Sequence, residues 1–321
     1  MTDTDGYAVS WEVSLPVAFI THPDCLLHEM GGGHPEEPSR LRAIEAQLHY
    51  SNLEPKLLRL QAQAATRQQL LKVHSERDLQ LLDTLAPARG YAQIDPDTSM
   101  NQSTLRAAYL AAGAAVLATD LVMAGRVSSA FCAVRPPGHH AERDRAMGFC
   151  FFNNVAVAVA HALETHALTR VAVVDFDVHH GNGTEDIFAK DPRVLMVSTF
   201  QHPFYPESGI AGRSERMVNI PLAAHSQPGE FRAAVTDHWL PALERFRPQM
   251  IFVSAGFDAH KDDEMSMLQL TDDDYVWVTQ QIKGAAQRLS GGRIVSTLEG
   301  GYDLRSLARC AVKHLEVLAA Q

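Results

Sequence analysis

Six short runs constrain this chain more than anything else in it: Val17–Ile20, Ala130–Val134, Val171–Val174, Val194–Val197, Met250–Val253 and Ile294–Ser296. Each is rich in Val, Ile or Phe and nearly unbroken in hydrophobicity. A strand with one wet face alternates apolar and polar residues, so unbroken runs predict strands covered on both faces, as in a parallel sheet. Between them lie segments with helical apolar spacing: Arg40–His49, Leu105–Met123, Ala156–Leu163, Phe231–Phe246 and Tyr275–Leu289. Strands alternating with helices predict an α/β fold, a mostly parallel sheet with helices on both faces. No repeat, low-complexity tract or Pro/Ser-rich linker interrupts the 321 residues, so one domain is expected over 1–321, with 1–12 as a flexible tail.

The residues just past these strands point to chemistry, because open α/β sheets bind ligands beyond the carboxyl ends of their strands. Ala130–Val134 runs into Arg135-Pro-Pro-Gly-His139-His140, and Val171–Val174 into Asp175-Phe-Asp177-Val-His179-His180-Gly-Asn182. Met250–Val253 leads to Ser254-Ala-Gly-Phe-Asp258, and Ile294–Ser296 to Glu299-Gly-Gly-Tyr302. On extended backbone Asp175, Asp177 and His179 point the same way, since side chains alternate with period two. Asp177 and His179, joined by Asp258, would then offer two carboxylates and an imidazole. That set leaves a coordination position open, as catalytic zinc sites do, and also suits Mn²⁺, Fe²⁺ or Co²⁺. Taken alone, Asp-x-Asp-x-His would serve equally well as a loop capping a helix that starts near Thr184.

Other classes are disfavoured. With 28 Lys+Arg against 38 Asp+Glu the net charge is −10, the wrong sign for nucleic acid or an anionic membrane. Cys25, Cys132, Cys150 and Cys310 are far apart, which suggests neither a disulfide framework nor a thiolate zinc site. The polar, acidic start lacks a secretory leader, so a reducing cytoplasm is expected. The longest apolar stretch, Ala107–Thr119, is shorter than the ~20 residues needed to span a bilayer.

Taken in order, the motifs resemble the histone deacetylase-like amidohydrolases of the arginase–deacetylase superfamily, and among them the bacterial class II type. The matching segments are His34-Pro-Glu-Glu-Pro-Ser-Arg40, Asp97-Thr98, Arg135–His140, Gly148-Phe-Cys-Phe-Phe-Asn-Asn154, Asp175–Asn182, Ala255–Asp258 and Glu299–Tyr302. The resemblance implies a parallel sheet of roughly eight strands and zinc-dependent removal of acetyl or other acyl groups from an N-acyl amine. It makes Asp177, His179 and Asp258 the zinc ligands, pairs His139 with Asp175, and pairs His140 with Asn182. Lacking a second carboxylate, His140 should be the less basic of the two histidines. His140 is expected to act as general base and acid, and Tyr302 to donate to the developing oxyanion on a loop formed by Gly300 and Gly301.

For substrate, Gly148 and Phe149 resemble one wall of an acyl-lysine tunnel, and Tyr205 falls where relatives usually carry Phe. Asp97 resembles a rim carboxylate, and Met265 occupies the position where polyamine deacetylases often place an acidic gatekeeper, with Glu264 beside it. Arg40 is expected either beneath the metal or as a surface charge on the first helix. The favoured substrate is acyl-lysine in proteins or peptides. An acetylpolyamine amidohydrolase, a catalytically silent acyl-lysine binding module and a hydrolase of another small amide are the alternatives. The resemblance also implies structural potassium, at Asp175, Asp177, His179, Ser198 and Thr199, and at Phe188, Asp191 and Val194.

Overall fold

The apolar runs become the interior of one sheet in the computed structural model, which describes residues 15–211 and 214–320. The expected tail, 1–12, lies outside the described residues. In chain order the elements are β1 (Val17–Thr21), α1 (Ser39–His49), β2 (Leu57–Gln61), α2 (Arg67–Leu70), α3 (Glu76–Leu85), β3 (Tyr91–Gln93), β4 (Ser99–Asn101), α4 (Thr104–Met123), β5 (Ser129–Cys132), α5 (Asn154–Glu164), β6 (Val171–Asp175) and α6 (Asn182–Phe188). The chain continues with β7 (Val194–Gln201), β8 (Met217–Leu222), α7 (Pro228–Ala234), α8 (Leu240–Phe246), β9 (Ile251–Ala255), α9 (Asp272–Leu289), β10 (Ile294–Leu298) and α10 (Leu304–Ala319). Eight strands form a parallel sheet in the order β2-β1-β5-β10-β9-β6-β7-β8, and β3 pairs antiparallel with β4.

The expected α/β architecture is what the chain adopts. Helices α1, α10 and α9 pack together on one side of the sheet, and α4 and α5 on the other. Strands β5, β6, β9 and β10 are buried at every residue. They are also four consecutive strands in the middle of the sheet. The four chemistry-bearing loops thus leave adjacent strands in the same direction.

Three features differ from the sequence-based reading. Edge strands β2 and β8 carried no unbroken run, because each exposes part of its length to solvent. Phe231–Phe246 is two helices joined by a π-turn at Val235–Trp239; Pro241 lacks an N–H, so the regular ladder is interrupted just behind that turn. Helix α10 lies beyond the helical segments given above, and in it Leu307, Ala311, His314, Leu315 and Leu318 are buried at helical spacing while Asp303 caps its start by accepting from the Ser306 N–H at 2.7 Å. Among the described residues one helix, α4, is long and apolar enough to cross a membrane, and 67% of that window is buried inside the protein.

Candidate active site

Asp177, His179 and Asp258 come together just past the ends of β6 and β9. One ligand atom from each lies within 4.8 Å of the others, and all three residues are buried. The Nδ1 of His179 is 3.1 Å from Asp177 Oδ1 and 3.3 Å from Asp258 Oδ2. Backbone amides hold the carboxylates: the Val178 N–H donates to Asp258 Oδ1 at 2.9 Å and the Gly300 N–H to Asp177 Oδ2 at 2.8 Å. Asp258 Oδ2 is buried and has no hydrogen-bond partner. A buried orphan carboxylate oxygen beside a second carboxylate and an imidazole fits a divalent cation, which would neutralise all three at once. A side chain at Gly300 would collide with both Asp258 Oδ2 and Asp177 Oδ2, which explains a glycine there.

The electrostatics carry the same strain. Burial and the Asp177 charge push Asp258 up to about 6. Burial alone would also raise Asp177, but His139 and His179 hold it well below the usual carboxylate range. Helix α6 begins at Asn182 with Gly181 as its cap and no side-chain cap. Asp175 and Asp177 are therefore not capping groups.

The paired histidines have opposite fates. His139 Nδ1 lies 3.0 Å from Asp175 Oδ2 and its Nε2 lies 3.8 Å from Asp177 Oδ1. Burial disfavours its charge, yet the two carboxylates outweigh burial and push it up to about 10. His140 Nδ1 meets Asn182 Oδ1 at 2.7 Å. Burial and then the neighbouring His139 and His179 drive His140 well below its ordinary value. His140 is therefore the less basic of the pair, as the resemblance implied; burial is the largest cause, and the contact with Asn182 acts against it.

A buried charge network supports the floor. Glu36 accepts from Arg135 Nε at 2.5 Å, from Arg135 Nη2 at 2.6 Å and from Arg40 Nη1 at 3.1 Å, and His28 Nε2 lies 3.2 Å away. Arg40 is fully buried, so the surface-charge alternative fails. It donates to the backbone carbonyls of Gly301 (2.7 Å) and Glu299, and its guanidinium sits 4.8 Å from the centre of the Tyr302 ring. Arg40 and Gly301 thus hold the Tyr302 loop from below and do not line the tunnel. Sequence reading missed Asp263, whose Oδ2 accepts from the Tyr302 and Asp303 N–H groups at 2.6 and 3.0 Å. It also gave no role to Glu299, whose Oε2 accepts from the Gly138 and His139 N–H groups at 2.6 and 3.1 Å. Both are acidic side chains in motif loops, and only the fold shows which amides they reach.

Above the floor runs a tunnel of about 280 Å³, lined by Asp97, His140, Gly148, Phe149, His179, Phe204, Tyr205, Glu264, Met265 and Tyr302. Glu264 and Met265 both line it. Phe149 has φ 67°, a left-handed conformation rare for a bulky residue. Its N–H donates to Thr98 Oγ1 at 2.9 Å, while the Thr98 hydroxyl donates to Asp97 Oδ1 at 2.8 Å. His34 packs edge-on against the Phe149 ring with centroids 4.6 Å apart. A side chain at Gly148 would press on His140, 2.6 Å away, and on the Tyr205 hydroxyl, 2.9 Å away. That hydroxyl is buried without a partner.

Of the residues tied to potassium, Asp175 pairs in register with Ser198, whose buried Oγ has no partner. In the second group the Asp191 carbonyl already accepts from Arg216 Nη1 at 2.7 Å, so a guanidinium competes for that oxygen. His180 is held by Ser208 Oγ at 2.8 Å and Glu185 Oε2 at 2.7 Å.

Residues 34–318 match the family model described as the histone deacetylase domain. The chain is 37% identical to the histone deacetylase-like amidohydrolase of Pseudomonas aeruginosa over 96% of this chain and 81% of that protein. It is 38% identical to the human polyamine deacetylase HDAC10 over 88% of this chain and 44% of that protein. Among solved structures, the HD domain of HDA15 superposes with a TM-score of 0.86 at 35% identity, covering 95% of this chain and 88% of that one.

Proposed function

The chain belongs to the histone deacetylase family of hydrolases, and from that premise we propose that it is a zinc-dependent amidohydrolase that removes acetyl or related acyl groups from the side-chain amine of acyl-lysine. One observation carries this reading: the orphan oxygen of Asp258 meets Asp177 and His179 at the foot of a tunnel that His140 and Tyr302 also line.

When bound by Asp177, His179 and Asp258, the metal would supply Lewis acidity, polarising the acyl carbonyl and making water nucleophilic near neutral pH. His140, kept neutral, accepts the proton of the attacking water. The C–O bond forms, the C–N bond breaks, and the same proton goes to the departing amine. Against burial, Asp177 and Asp175 push His139 up to about 10 while His140 is lowered, which favours His140 over its neighbour as the base. Burial holds the Tyr302 phenol well above its ordinary value, so it stays protonated and can donate to the oxygen that gains charge. Arg40 and Asp263 hold its loop in place, and Phe149 and Tyr205 line the path of the lysine methylenes. Ser198 with Asp175 would suit a structural potassium ion, and we place the enzyme in the cytoplasm.

A second reading has its own observation. Glu264 and Asp97 both line the tunnel, and carboxylates there would attract a cationic acetylpolyamine, the substrate class that the human relative's name carries. Zinc-loaded protein offered an acetyl-lysine peptide, a longer-acyl peptide and N-acetylputrescine decides the matter. We expect acetate release from the acetyl-lysine peptide, abolished by chelator. Preference for the polyamine overturns the substrate choice. No turnover of any of the three favours a silent acyl-lysine binding module.

A further inference from the structure

Asn182 uses both ends of its amide. Its Oδ1 lies 2.7 Å from His140 Nδ1, and its Nδ2 donates to Glu142 Oε1, also at 2.7 Å. A carboxylate such as Glu142 can only accept, so it permits one orientation of the Asn182 amide and opposes the other. In the permitted orientation Oδ1 faces His140 and requires the imidazole proton on Nδ1, leaving Nε2 with a free lone pair. In the reversed orientation Nδ2 would donate to Nδ1 and drive the proton onto Nε2, leaving a neutral ring that cannot act as base from that nitrogen.

Glu142 is itself fixed. Its N–H donates to the Arg145 carbonyl at 2.9 Å, its carbonyl meets His74 Nδ1 at 2.9 Å, and Arg145 Nε lies 3.4 Å from Oε2. Glu142 lies outside the tunnel, on the wall of a separate cavity of about 520 Å³ that Asn182 also borders. Its contact with the site's residues runs through the Asn182 Nδ2, which also approaches Met147 Sδ at 3.3 Å and the His140 carbonyl at 3.5 Å, both longer than the 2.7 Å to Glu142. We propose that Glu142 is a positioning residue: by holding the Asn182 amide it sets the tautomer of His140. This rests on His140 being the base of the proposed hydrolysis.

Two measurements test it, the first without turnover. In ¹⁵N-histidine-labelled protein the His140 ring should show Nδ1 protonated in the wild type, with Nε2–H signal appearing in Glu142→Ala. An unchanged tautomer in Glu142→Ala overturns the proposal whatever the activity. The second is a double-mutant cycle on kcat for an acetyl-lysine peptide. Glu142→Ala should lower kcat about tenfold with KM unchanged, and Glu142→Gln, which keeps an acceptor, should recover most of it. Aspartate at 182 accepts from Nδ1–H in either orientation and would set its second oxygen against the Glu142 carboxylate, so in an Asn182→Asp background Glu142→Ala should cost nothing or restore activity. Equal losses in both backgrounds would indicate a merely structural role and overturn the proposal. An inactive wild type that still shows the tautomer change would defeat the hydrolase reading and leave the positioning intact.

Discussion

Beneath the tunnel Glu36 is gripped by Arg135, Arg40 and His28, while along its wall the Tyr205 hydroxyl is buried with no partner at all. The floor holds charged groups in fixed positions through several contacts each, so that the reacting groups above it stay put. The wall leaves a polar atom free and keeps one bulky residue, Phe149, in a left-handed backbone conformation. Groups that must not move are over-determined, and groups that meet a variable ligand are left with unused capacity.

The largest effect should come from breaking the floor. Glu36→Ala strands Arg40 and Arg135 in a fully buried site and should cost about 3–5 kcal/mol of stability in urea unfolding. A loss below ~1 kcal/mol would show that the floor relaxes as readily as the wall. Nearly as large, but confined to turnover, His140→Ala and Tyr302→Phe should each lower kcat by ~10²–10⁴-fold with metal content unchanged. Near-normal hydrolysis by either variant, with metal confirmed, would sink their assignment.

This contrast also explains what the sequence could show. Asp177, His179, Asp258 and Tyr302 were legible because each directly follows a strand that must be apolar, so the break in hydrophobicity marks the strand end and the chemistry together. The doubly wound sheet was legible for the same reason at its centre. Its edges β2 and β8 were not, because half-exposed strands need no unbroken run. Asp263, Glu299 and Glu142 could not be found from spacing, since their roles lie in which distant amide they reach. Arg40 could be read either way until burial decided it. The wall was the least legible part, because any aromatic residue fills it and only the fold shows that the Tyr205 hydroxyl is left over.

Acid should also separate the two regions. His314 lies against Phe131, Phe176 and Phe257 behind the floor and contacts Ser296 Oγ and Thr279 Oγ1. Burial lowers it from 6.5 to about 3, and burial likewise lowers His74 to about 4. Between these values and pH 6.5 the unfolded chain binds protons that the folded one does not, so stability falls as pH drops. Each group contributes up to about 1.4 kcal/mol per pH unit. The histidine contribution to the unfolding free energy should therefore fall from pH 7 to 4 while the raised carboxylates of Asp258 and Glu299 act in the opposite sense, so the readout is the difference between variants: His314→Gln should lower the number of protons taken up on unfolding by about one. An unchanged slope would mean that His314 is already protonated in the fold.

The smallest effect should come from the wall. Tyr205→Phe removes a hydroxyl that carries a desolvation penalty of about 1–3 kcal/mol with no hydrogen bond in return. The variant should be as stable as the wild type or slightly more so. Against an acetyl-lysine peptide, whose stem passing the wall is methylene, kcat/KM should stay within about threefold, because no polar atom of that stem needs the hydroxyl. A drop beyond tenfold would mean that the substrate supplies the missing partner, through its amide or through a nitrogen in its stem. Repeating the comparison with an acetylated polyamine would tell these apart: a loss specific to the polyamine would identify the wall as built for a cationic stem, whereas equal loss on both substrates would place the contact at the amide they share.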